Sequence, residues 1–113
     1  MNKKKLLILF AILTILASYG GALVYVYTHE SVHAIMFSNF GISSAMHVGY
    51  DLSGWTIANQ SQYELKESEL LYMTQSMNDA IGYHTAVILF NMYLIFAIYL
   101  FYQIIFNRKE DIK

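Results

Sequence analysis

Two long apolar runs, Leu6 to Tyr27 and about Thr85 to Phe106, limit this chain more than any other feature of its sequence. Only Thr14, Ser18 and the Gly20-Gly21 pair interrupt the first, and Asn91 and Gln103 the second. A helix that crosses a bilayer needs roughly 20 predominantly apolar residues, and each run supplies that length. Neither run alternates with period two, so neither reads as a barrel strand. Tyr25 and Tyr27 close the first run and Tyr83 opens the second, as at a membrane–water boundary. Charged residues make up 13% of the chain, against about 25% in an ordinary soluble domain. A length of 113 residues allows one small domain. The absence of cysteine excludes disulfides, thiolate metal sites and cysteine nucleophiles, and the absence of proline leaves long helices without an obvious breaker.

The expected fold is an all-α membrane protein, a two-transmembrane antiparallel helical hairpin with a small external helical or irregular segment between the spans. The divisions are a basic tail over 1–5, spans over 6–27 and 85–106, an external segment over 28–84, and a second tail over 107–113. Lys3, Lys4, Lys5, Arg108, Lys109 and Lys113 lie in the tails, whereas the connecting segment sets Lys66 against Asp51, Glu64, Glu67, Glu69 and Asp79. The positive-inside rule then places both termini in the cytoplasm and the segment outside the plasma membrane. The basic start and Gly20-Gly21-Ala22 also fit a signal peptide. The apolar run continues through Tyr27, longer than a usual signal core, so a retained span is expected. Lipid is the expected surrounding, and nucleic acid is not expected as a partner.

Within the segment, the first helix is expected to continue past the membrane to about Phe40, with Gly41 as its glycine cap. Met46 to Ile57 alternates in part and is broken by Gly49 and Ser53-Gly54, which reads as a short β-ribbon or an irregular loop. Ser61 and Glu64 have capping-box spacing, so a second helix is expected from Ser61, running unbroken through Asp79 into the second span. Asn91 is costly to leave unpaired in lipid and is expected to bond Thr14, Ser18 or another copy.

The chemistry lies in His29-Glu30-Ser31-Val32-His33. Histidines four apart project from one helical face and can reach a single ion, and zinc favours neutral imidazole nitrogens. Glu30, beside the first ligand, is placed to take a proton from water that zinc has acidified toward a pKa of about 7. Interfacial histidines that pack or hydrogen-bond without metal are the plainer alternative. A catalytic zinc site usually has three protein ligands plus water. His47, Asp51, Glu64, Glu67, Glu69, Asp79 and His84 are available for the third place. With the spans antiparallel and residues 6 and 106 level, a rise of about 1.5 Å per residue puts both His33 and Asp79 ~40 Å up. Asp79 is therefore the expected ligand and His84 the alternative. Tyr83 is a candidate oxyanion or substrate contact, or else an interface anchor. Gln75 and Asn78 read as polar surface, with ligand orientation or binding of a substrate carbonyl as their other role.

The stretch from Val26 through the histidine motif and Ala34 to Phe40-Gly41-Ile42 resembles the first motif region of site-2-type intramembrane metalloproteases. Gly49 and Gly54-Trp55 are similar to the glycine-bearing strand that follows it there. The resemblance covers about residues 22 to 57 and implies that His29 and His33 bind zinc with Glu30 as catalytic base. This chain has no Asn-Pro or Leu-Asp-Gly motif to supply that family's third ligand, and its motif falls near the external face. A membrane-anchored gluzincin-like arrangement, with an acidic ligand on a following helix, is an equal model. The expected function is a membrane-embedded zinc metalloprotease that cuts peptides or membrane proteins near the membrane surface, with a homo-oligomer or partner subunit enclosing the site. The alternative is a small non-catalytic accessory subunit of a membrane complex, with a structural metal or none.

Overall fold

The computed structural model describes residues 1–106; the tail over 107–113, with Arg108, Lys109 and Lys113, lies outside the described residues. The order is α1 (Lys3–Asn39), β1 (Ser44–Val48), β2 (Gly54–Ala58), α2 (Gln60–Lys66) and α3 (Glu69–Phe106). Both α1 and α3 are long and apolar enough to cross a membrane. Their large apolar side chains are mostly exposed, Ile15 and Ile95 each to 69%, a surface suited to lipid rather than water. The chain divides into two compact units, Met1–Gly20 with the part from Val87 onward, and Gly21–Ala86.

In the first unit, segments of α1 and α3 meet through side chains. Phe10 and Phe101 lie with ring centroids 6.2 Å apart. The Lys3 ammonium donates to the Ile105 carbonyl (2.8 Å). Tyr93 donates its hydroxyl hydrogen to the Thr14 carbonyl (2.7 Å) and stands 2.9 Å from the Ser18 hydroxyl. Asn91 was expected in that place. It lies two residues earlier, about 200° around the helix, and is exposed on another face.

The second unit holds the remaining elements. Helix α1 ends in a Schellman cap. Gly41 is in the left-handed region (φ 71°), its N–H donates to Ser38 O (2.9 Å), and Ile42 N–H donates to Phe37 O (2.9 Å). The hydrophobic contact that accompanies such a cap is present, because Phe37 and Ile42 pack with Leu71 in the one buried apolar cluster of the described residues. The helix therefore ends at Asn39, one residue before the expected Phe40, with the expected glycine cap.

The segment that follows is ordered β-structure, so an all-α class with an irregular insert is too narrow. Strands β1 and β2 pair antiparallel, Ser44 with Ala58 through Val48 with Gly54. The turn closes through Gly49 N–H to Ser53 O (2.8 Å) and Leu52 N–H to Gly49 O (3.1 Å), with Leu52 at φ 67°. The alternation of Met46, Val48, Thr56 and Ala58 suffices for a two-stranded ribbon once α1 covers one face. Asp51 steadies the turn by accepting from the Ser53 hydroxyl (2.6 Å) and the Ser53 N–H (3.1 Å). Those bonds, the hydroxyl first, hold its carboxyl below the ordinary aspartate range.

The next helix begins at Gln60, not Ser61, and it does not run into the second span. Asn59 is the N-cap, its side chain accepting from Gln62 N–H (3.1 Å), while Ser61 donates its hydroxyl to Asn59 (2.8 Å). Asparagine is among the strongest N-caps, which explains why it displaces the serine. At Glu67 the backbone turns extended, and Ser68 Oγ accepts from Leu71 N–H (3.1 Å) to start α3 afresh. Lys66 reaches back to donate to the Gly41 carbonyl (2.9 Å), tying α2 to the end of α1.

Leu71→Ala is expected to cost about 2–5 kcal/mol, the range for emptying a buried leucine site, read as a lower thermal midpoint in detergent with helical content retained. Because the Asp51 carboxyl is depressed in the folded turn, its contribution is full above the ordinary aspartate pKa of about 3.9 and disappears as pH falls through the folded value. Fraying of the hairpin on acidification, followed by Trp55 emission, is expected to shrink in Asp51→Asn.

Candidate metal centre

Helix α1 stays regular through residues 28–33, so His29 and His33 emerge from one face a turn apart. Their Nε2 atoms are 3.2 Å apart. Asp79 Oδ1, from α3, stands 2.8 Å from His33 Nε2 and 3.2 Å from His29 Nε2. Among the described residues these three form the group whose ligand atoms all lie within 4.8 Å of one another. The histidine side chains are 21% and 13% exposed and that of Asp79 is 65% exposed, so the group opens to one side. Two imidazole nitrogens and a carboxylate oxygen are a donor set suited to zinc.

Supporting contacts hold the two histidines. Tyr25 donates its hydroxyl to the Gly82 carbonyl, and its ring stacks beside that of His29 at a centroid distance of 6.5 Å. Gly82 faces the His29 ring so closely that a Cβ there would lie 2.6 Å from Cε1. Asn78, only 9% exposed, donates to the His29 carbonyl (3.5 Å). Gln75 Oε1 is hydrogen-bonded to His33 Nδ1.

Glu30 is 8% exposed and turns toward β2. The Thr56 hydroxyl lies 2.7 Å from Glu30 Oε2 and 3.0 Å from the Glu30 carbonyl. Gly54 allows this approach, since a Cβ there would meet Val26 Cγ1 at 2.5 Å and Glu30 Cγ at 3.0 Å.

The other residues weighed as ligands lie elsewhere. His84 sits about 140° around α3 from Asp79, outside the group, with its ring 5.8 Å from that of Tyr83. Tyr83 is 71% exposed. His47 stacks on Trp55 at 4.8 Å, Asp51 is held in the turn, and Glu64 accepts from Gln60 Nε2 (3.0 Å). Glu67 caps the end of α2, and Glu69 opens α3. Sequence reasoning missed the roles of Thr56 and Tyr25 and gave Gln75 chiefly to the surface. The available signal for Gln75 was its place four residues before Asp79, which puts both on one face of α3.

Compared with known proteins, the chain matches no family model, no curated protein and no solved structure.

Gly82→Ala is expected to push the His29 ring out of the group. Zinc titration of the purified protein would show a weaker site with helical content unchanged, and undiminished affinity would refute the close fit.

Proposed function

We propose that this protein is a membrane-anchored zinc metallopeptidase that hydrolyses peptide bonds near the outer surface of the plasma membrane. The observation that carries the reading is the convergence of His29, His33 and Asp79, within 4.8 Å, on the helical turn that also bears Glu30. Three protein ligands with an open side match catalytic zinc sites, whereas structural sites are closed by four. The likeness of the motif region to site-2-type metalloproteases supports the same reading, as does the gluzincin-like placing of an acidic ligand on a later helix.

A bound zinc supplies Lewis-acid chemistry, polarising a peptide carbonyl and acidifying water. His29 and His33 would hold it through Nε2 and Asp79 through Oδ1. Glu30 would take the proton from the attacking water and pass it to the leaving amine. Thr56 holds Oε2 and Oε1 faces Gly54, so Glu30 would turn from β2 to take that proton. Lys3, Lys4 and Lys5 and the basic residues after 107 favour cytoplasmic termini, with the site outside. A second copy or a partner subunit encloses the substrate, peptide or membrane protein. The exposure of Asn91 in an apolar helix favours such an association.

One observation favours a non-catalytic accessory subunit with a structural metal. Glu30 is nearly buried and bonded to Thr56, as an anchor for β2 would be. Glu30→Gln separates the two readings. For the peptidase, the variant retains about one zinc per chain, as wild type does and His33→Ala does not, while peptide cleavage falls by roughly 10²–10⁴-fold. Cleavage preserved in Glu30→Gln would remove the general base, and zinc-loaded wild type without peptidase activity would favour the accessory subunit.

A further inference from the structure

The geometry points to Gln75 as the positioning residue that fixes the ring proton of His33 and so makes the cluster competent to bind a divalent cation, an inference that rests on the metal-site reading above. Gln75 lies one turn before Asp79 on α3, so α3 brings both to the His33 ring. The atom of Gln75 that meets His33 Nδ1 is Oε1, which only accepts hydrogen bonds. His33 must then donate from Nδ1. A neutral imidazole carries one ring proton, so Nε2 is left with a lone pair. That lone pair faces Asp79 Oδ1 at 2.8 Å and His29 Nε2 at 3.2 Å.

Unless the ring takes a second proton and donates it to Asp79, an acceptor nitrogen and an acceptor-only carboxylate oxygen repel each other at this separation. A cation among them turns the repulsion into coordination, with the open side of Asp79 as its route of entry. Gln75 Nε2 is buried without a hydrogen-bond acceptor among the described residues. Rotating the amide by half a turn would let this nitrogen donate to His33 Nδ1. The ring proton would then move to Nε2 and donate to Asp79, occupying the lone pair that a metal needs, while the amide oxygen took the buried place of the nitrogen. The orientation in the structure instead sets Oε1 against Nδ1 and leaves the amide nitrogen as the buried unpaired group. A carboxamide on the outer nitrogen of a liganding histidine does the orienting work that carboxylates and backbone carbonyls do in other metal sites.

The test is zinc affinity, by competition with a chromogenic chelator, of the detergent-purified full-length protein as wild type, Gln75→Leu and Gln75→Glu, with cobalt absorption reporting ligand geometry. Gln75→Leu removes the acceptor along with an unsatisfied donor, so helical content and thermal midpoint are expected to hold while zinc affinity falls roughly 10–100-fold. Gln75→Glu restores an acceptor at the same reach and is expected to bind zinc within about tenfold of wild type, with the cobalt spectrum retained. Equal affinity in Gln75→Leu and wild type would overturn the assignment. A fall in Gln75→Glu as large as in Gln75→Leu would also overturn it, because side-chain shape rather than acceptor chemistry would then matter. Failure of wild type itself to bind zinc would instead remove the metal-site reading on which the inference stands.

Discussion

Helix α1 keeps its hydrogen-bonded backbone from Lys3 to Asn39, and the arrangement of residues 21–86 depends on that continuity. Had the helix stopped where the apolar run ends, at Tyr27, His29 and His33 would have no common face. A regular helix places them a turn apart with Glu30 about 100° from His29, which aims the carboxylate at β2 and the imidazoles at α3. The rigid backbone thus assigns three side chains to two neighbours. The glycine cap at Gly41 then reverses the chain, so that β1 returns along α1. Ser31 Oγ lies 3.6 Å from Met46 Sδ, and Gly54 approaches Val26 and Glu30.

Little of the unit is held by an apolar interior. Phe37, Ile42 and Leu71 are its buried apolar side chains, and the rest of the order comes from directed polar contacts. Asn59 and Ser68 each start a helix, Lys66 binds the free carbonyl at Gly41, and Thr56 bonds both the side chain and the carbonyl of Glu30. Such contacts are individually modest, about 0.5–1.5 kcal/mol net, but each has a required direction. They place a few side chains accurately in a unit with little apolar interior.

The two apolar helices and the placing of Asp79 opposite the histidines were legible because both follow from counting. About 20 apolar residues span a bilayer, and equal numbers of residues from residues 6 and 106 bring His33 and Asp79 level. The strands were half legible, since the alternation from Met46 was visible but their pairing required the covering face of α1. The restart of helix at Glu69 was not legible, because Ser61 and Glu64 satisfied a capping pattern that Asn59 in fact supplies. Gln75, past its place on the Asp79 face, and Thr56 lay beyond reach for a different reason. Their partners, His33 and Glu30, are 42 and 26 residues away, and a polar residue on a helix or strand face does not announce what will stand opposite it. Asn91 and Tyr93 show how two residues of phase decide which polar group meets a neighbouring helix.

The five residues between Val48 and Gly54 supply none of the clustered ligand atoms, yet they bear on the histidine turn. Gly54, Thr56 and Ala58 are the half-buried positions of β2, and Trp55 and Ile57 are its exposed ones. Side chains in a strand alternate strictly, so one residue added to or lost from this turn exchanges the two sets. Trp55 would then press on Val26, where only a hydrogen atom now fits, and the hydroxyl beside Glu30 would point away. Turn length here behaves as a phase setting for the whole ribbon. Variants that change it will read as site mutations although they touch nothing in the site.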